Sequence, residues 1–231
     1  MQAWVRLAGF TVALLVVIAL TAAAGRAYAL ATGAEPFAAV YTLFPPGAIE
    51  DARAVERWFA AHATLTWAHI VPGSLFIALA PLQFVRGLRE HHPGLHRWSG
   101  RVLLLAAFPT GLTGILLQLR SPYGGALALS SILVAGSLFL GTAILAYQAI
   151  RRGDRERHRE WMIRMLAVGL GVGTVRVIAA PLVLLTGLRP LELMGVAFWL
   201  GFALPVAAGE WWIRATRLHS GTATAATAGS A

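Results

Sequence analysis

The side chains of this 231-residue sequence with chemistry to offer fall into three groups. In the stretch Trp58–Val85, the residues His62, Thr66, His69, Gly73, Ala80 and Gln83 recur at spacings of three, four or seven, so in a helix they share one face. An imidazole on such a face can relay a proton, bind a polar ligand or ligate iron. Arg176 interrupts the apolar run Trp161–Thr186, and its guanidinium can hold an anionic group. Two basic segments then carry a His-Arg pair in front of an apolar run: His96-Arg97, followed by Arg101, and His158-Arg159. Imidazoles from two helices can clamp a haem iron, and arginines such as Arg97 and Arg101 can hold its propionates.

The composition says what kind of element must position these groups. Hydrophobic residues make up 58% of the chain and charged ones 13%, about half the charged share of a soluble domain. That excludes a disordered chain, and it leaves too much apolar surface for a soluble globular domain to keep from water. The absence of cysteine excludes a disulfide scaffold, a zinc-cysteine module and a redox dithiol. The formal charge of +9 is all arginine against acid, with no lysine. These arginines punctuate long apolar runs, which points to a membrane surface and away from nucleic acid.

Six stretches approach the roughly 20 apolar residues that cross a hydrocarbon core. They are Trp4–Gly25, Trp58–Val85, Val102–Leu119, Ala126–Ile150, Trp161–Thr186 and Leu193–Ile213. In hydrocarbon each must be helical, because only a helix satisfies its own backbone. The N-terminus, the second and fourth loops and the C-terminus carry 13 arginines, whereas the first, third and fifth loops carry five. The positive-inside rule therefore places both termini in the cytoplasm. The expected fold is an all-α polytopic bundle of six transmembrane helices with spans two to five as its core. Residues 1–57 form the first helix and an external loop, 58–213 the bundle, and 214–231 a disordered cytoplasmic tail. Arg6, the first apolar run and Ala27-Tyr28-Ala29 also have the layout of a signal peptide; cleavage there would leave five spans. In the first external loop, Ile49–Phe59 reads as a short amphipathic helix that can cap the outer mouth of the bundle. Gly169 and Gly173 form a GxxxG pair, read as a site of close helix approach.

Depth singles out His69 and Arg176. His69 lies 11 residues after Trp58, about 16 Å along a helix, and Arg176 lies 12 residues after Arg164, about 18 Å in from the cytoplasmic side. An arginine at membrane depth costs at least about 2.5 kcal/mol on insertion scales, so both residues are expected to face the bundle interior. His62 and His69 share one helix about 10 Å apart and cannot both ligate one haem. An inner haem b held by His96 and His158 stays open, as does an outer one held by His69 alone. A metal hydrolase or oxidase is disfavoured because Pro93-Gly94 breaks any helix carrying His91, His92 and His96. A small transporter and a non-catalytic assembly or scaffold factor complete the alternatives.

Several of these motifs carry a resemblance. His96-Arg97-x-x-Gly100-Arg101 opens one span, and His158-Arg159-x-Trp161-Met162-x-x-Arg164 opens another. Both follow a histidine-bearing span with Trp67-Ala68-His69 and Pro81-Leu82-Gln83-Phe84, and Arg176 comes after. In these motifs, over Ala60–Ile178, the chain resembles the bacterial membrane family called domain of unknown function 2306. The resemblance implies a multi-span protein of the bacterial inner membrane and supplies no activity. The chain is also loosely similar to two-haem transmembrane cytochromes b, but spans three to six lack a mid-span histidine. The expected function is a polar intramembrane site, with His69 and Arg176 at its centre, that binds haem, quinone or another anionic ligand in a redox role. Expected partners are the bilayer and its anionic headgroups, together with self-association into a homo-oligomer; no nucleic acid is expected.

Overall fold

The structure is a computed structural model that describes residues 2–45 and 47–228. Among the described residues every regular element is helical: α1 (Gln2–Thr32), α2 (Ala38–Tyr41), α3 (Ala48–Ala61), α4 (Ala63–Leu79), a 3-10 turn (Pro81–Phe84), α5 (Arg86–His91), α6 (Pro93–Arg120), α7 (Gly125–Arg151), α8 (Arg155–Thr186) and α9 (Pro190–Ala228). Among the described residues, six helical stretches are long and apolar enough to cross a membrane: Trp4–Thr32, Ala63–Phe84, Pro93–Arg120, Gly125–Arg151, Arg155–Thr186 and Pro190–Arg217. Their outward faces carry large apolar side chains such as Phe10, Leu105 and Leu185, as a lipid-facing surface requires.

Local chemistry sets the ends. Pro93 and Pro190 occupy the first helical position of α6 and α9, where a missing N–H costs nothing. The Asp154 carboxylate accepts from the Arg157 N–H at 3.0 Å and caps α8. Gly187, at φ 68°, ends α8 in the left-handed conformation that a side chain disfavours. Pro72, Pro109, Pro181 and Pro205 lie inside α4, α6, α8 and α9 without stopping them.

The buried core is built from α4, α6, α7 and α8, through Phe76, Leu103, Phe139 and Met165, with Ala19 of α1 added. These are the second to fifth spans, the four expected to form it. α4 and α8 touch each other little, and α1 fills the gap by packing on both. α9 lies along α7 and α8. The glycines of α8 make these approaches possible. A Cβ on Gly169 would stand 2.5 Å from the Phe76 ring, one on Gly171 2.2 Å from the Phe202 ring, and one on Gly173 2.5 Å from the backbone oxygen of Leu15. The GxxxG pair is thus a packing device that admits α4 and α1.

Two boundaries differ from the sequence reading. The second span starts at Ala63 and not at Trp58, because His62 (φ −114°, ψ 38°) separates α3 from α4. Its Nδ1 lies 2.9 Å from the Trp58 carbonyl and its ring stacks on Trp58 at 4.5 Å, so His62 serves the joint and leaves the polar stripe. The segment after the first span starts later than Arg26, since α1 runs on to Thr32. The amphipathic helix expected at Ile49–Phe59 is α3. Of the expected tail, residues 229–231 lie outside the described residues, as do the side chains from 218 onward.

Polar contacts lock α3 across one end of the bundle. Asp51, 1% exposed, pairs with Arg189 and accepts from the Leu191 N–H at 3.2 Å, where the positive end of α9 begins. The Tyr123 hydroxyl donates to the Ala54 carbonyl at 3.0 Å. Arg26 pairs with Glu56 at 2.9 Å and lies 3.9 Å over the Phe59 ring. Burial pushes the Glu56 carboxyl up from its ordinary range, against the pull of Arg26 beside it.

Candidate functional site

Beneath α3 lies a cavity of about 490 Å³. Val55, Trp58 and Phe59 of α3 form its roof, and the edge-to-face pair Phe76–Phe139, with centroids 4.8 Å apart, forms its floor. Small residues make the space: Ala19, Ala22 and Ala23 of α1, Gly73 of α4, Gly111 and Gly114 of α6, and Gly136 of α7 all line it. Most of the lining is apolar, and His69 and Arg176 both belong to it.

His69 is fixed by α6. Its Nδ1 lies 3.0 Å from the Thr110 carbonyl and 3.2 Å from Thr113 Oγ1. The ring fits there because residue 114 is glycine: a Cβ would stand 3.1 Å from His69 Cε1. Arg176, on α8, lines the cavity but is exposed, whereas its depth in the sequence predicts a side chain turned into the bundle interior; it donates from Nη1 to the Val172 carbonyl at 2.5 Å and lies within electrostatic range of His69. Measured from Ala63, His69 is about 9 Å along α4, and Arg176 is about 15 Å from the end of α8 at Thr186. Both therefore sit in the half of the bundle beneath α3.

The other residues singled out by sequence lie elsewhere. His96 and His158 come together at the opposite end, where His96 is within electrostatic range of His158, Arg89 and Arg97. The His158 Nδ1 lies 2.8 Å from the Ala146 carbonyl, while the His96 Nδ1 is buried with no hydrogen-bond partner. Arg97 and Arg101 are exposed. His96 is 14 residues before Thr110 on α6, roughly 21 Å along the axis, so the place of His96 and His158 and the cavity are separate. Gln83 donates to Ser99 Oγ at 2.9 Å and ties the 3-10 turn to α6. Among the described residues no three histidine, aspartate or glutamate side chains gather as a metal site.

A family model described as a predicted membrane protein, DUF2306, matches residues 66–213. The chain belongs to the DUF2306 family. No curated protein and no solved structure matches it. The DUF2306 match begins at Thr66 and ends at Ile213, so it takes in His69, His96, His158 and Arg176, and it runs on past Ile178, where the stretch that carried the resemblance ends. It leaves out α1 and α3, which supply one wall and the roof of the cavity.

Sequence reasoning missed Thr110, Thr113 and Gly114 as partners of His69, and Arg26 as a lining residue. The run Pro109-Thr110-x-x-Thr113-Gly114 within an apolar helix was the available signal. Arg26 was hidden because the apolar run ends before the helix does.

Proposed function

We propose that this DUF2306 protein binds a membrane-borne small molecule of the quinone type, an apolar body with a polar oxygen-bearing head, in a redox role. The observation that carries the reading is the arrival of His69 and Arg176, from different helices, on one largely apolar cavity. Such a pocket, with a few convergent polar groups, is the ordinary form of a small-molecule site. The guanidinium supplies donors for a carbonyl or an anionic oxygen, and the imidazole a second polar contact. Haem fits the cavity less well, since His69 is the only histidine lining it and the inner pair lies roughly 21 Å away along α6.

Arg176→Gln tests the reading. The variant is expected to insert and fold, because its loss removes a charge from the bundle, while its affinity for decylubiquinone falls at least about tenfold, as removal of a charged donor does. Titration of protein in lipid nanodiscs reads this directly. Wild-type affinity in the variant sinks the assignment of Arg176, and a variant that fails to insert makes the arginine structural.

The same reading places the protein in a bacterial inner membrane with both termini inside, on the distribution of its arginines. Arg86 and Arg157, more than two-thirds exposed, would then meet anionic headgroups. Because the sequence has no cysteine, single cysteines report orientation without background. A cysteine replacing Gly153 is expected to resist a membrane-impermeant maleimide in intact spheroplasts, and one replacing Ser121 to react. The reverse pattern would invert the topology.

A further inference from the structure

The hydrogen-bond inventory of the cavity fixes the direction in which His69 can bond. The Thr113 hydroxyl donates its one proton to the Pro109 carbonyl at 2.5 Å, so toward His69 its oxygen can only accept. The second neighbour of Nδ1, the Thr110 carbonyl, is an acceptor by nature. With two acceptors facing it, Nδ1 must carry the ring proton. In the neutral ring Nε2 then holds a lone pair. The two nitrogens of an imidazole point in divergent directions, so Nε2 is directed away from the Thr110 and Thr113 oxygens, on a residue that lines the cavity.

Three hydroxyls of the cavity lining are already engaged. Thr66 donates to the carbonyls of Phe59 and His62, Thr110 to that of Ala106, and Tyr123 to that of Ala54. At His69 the cavity therefore presents an acceptor.

From this we infer that the site selects the reduced, hydroxyl-bearing form of its ligand, a quinol, whose O–H donates to His69 Nε2. The inference rests on the quinone-type reading and deepens it. A quinone carbonyl placed in the same position would set lone pair against lone pair, and a methyl ether would fill the space without donating. The oxygen at the other end of the ring needs no proton, because the guanidinium of Arg176 donates to either form.

The test uses the wild-type protein in lipid nanodiscs under anaerobic conditions, titrated with three probes: decylubiquinol, decylubiquinone and the 1,4-dimethyl ether of decylubiquinol. The expected result is that the quinol binds about tenfold more tightly than either of the others, the equivalent of one net hydrogen bond. His69→Phe is expected to bring the three affinities to within about twofold of one another. Equal binding of all three probes to the wild type overturns the inference and leaves the cavity reading standing. Tighter binding of decylubiquinone overturns the proton assignment. Binding of none of the three overturns both. The comparison within the wild type decides the matter even if His69→Phe does not fold.

Discussion

Gly173→Val is expected to lower the melting temperature of the purified protein by roughly 6–12 °C and to abolish ligand binding together with it. A Cβ at position 173 would lie 2.5 Å from the Leu15 carbonyl oxygen, 3.3 Å from its carbon and 3.4 Å from its Cα, all backbone atoms of α1. At Gly169 and Gly171 the obstructing atoms belong to phenylalanine rings, which can turn aside. Backbone cannot, so α1 must shift as a body by roughly an ångström, at the upper end of the 1–3 kcal/mol that overpacking costs. The shift reaches the cavity, because Ala19, Ala22 and Ala23 follow Leu15 on the same helix and form its wall. Gly141→Ala is the control: nothing lies within 4 Å of a Cβ there, and alanine is the better helix former, so no loss of stability is expected. Thermal unfolding in detergent, read beside decylubiquinone titration, checks both outcomes. A stable Gly173→Val protein with intact binding would show that α1 does not need this close approach.

Arg164→Ala has the next largest expected effect, a destabilisation of about 2–3 kcal/mol. Arg164 grips Glu210 of α9 through two hydrogen bonds, Nε to Oε1 at 2.5 Å and Nη2 to Oε2 at 3.0 Å. It also stands 3.8 Å from Glu160 and packs 4.6 Å over the Trp161 ring. Glu160 is 3% exposed and its second partner is Arg217, so α8 and α9 are joined by a chain of charges running Glu210–Arg164–Glu160–Arg217. Removing Arg164 leaves one carboxylate unpaired and the other with a single partner. The figure falls short of the full penalty for a buried pair because Glu210 is about one-third exposed. The cavity lies at the other end of the bundle, so affinity for decylubiquinone is expected to stay within about twofold of wild type while stability falls. A variant as stable as wild type would mean that water reaches Glu160 and Glu210 after the arginine is lost.

The spans were legible because hydrocarbon leaves a helix as the only way to satisfy the backbone, so six apolar runs had to become six helices. Their ends were less legible. α6 and α8 each begin before the apolar run, at Pro93 and Arg155, because a first turn led by proline or capped by Asp154 forms in water as readily as in lipid. The break at His62 left no mark at all. Ala60-Ala61-His62-Ala63 has good helical propensity, and the joint is imposed from outside by the contacts that hold α3 across the bundle, Asp51 with Arg189 and Tyr123 with Ala54. His69 and Arg176 stood out as polar groups in apolar sequence, and they meet on one cavity. Thr110 and Thr113 did not stand out, since a threonine in a span commonly bonds to its own backbone and gives no sign that a histidine donates to it or to its carbonyl. His96 and His158 each stand in a motif that opens a core span but lie too far from the cavity to join it.

On the proposed reading, the cavity between α4 and α8 holds a ligand against His69 and Arg176. The most direct test of that reading is an experimental structure of the wild-type protein in lipid nanodiscs with decylubiquinol added. The expected result is density for the ring in the cavity beneath α3, with one oxygen within hydrogen-bond distance of His69 Nε2 and the other within reach of the Arg176 guanidinium. A cavity filled by repacked side chains, or a quinol found only on the lipid-facing surface while His69 still bonds Thr110, would contradict it.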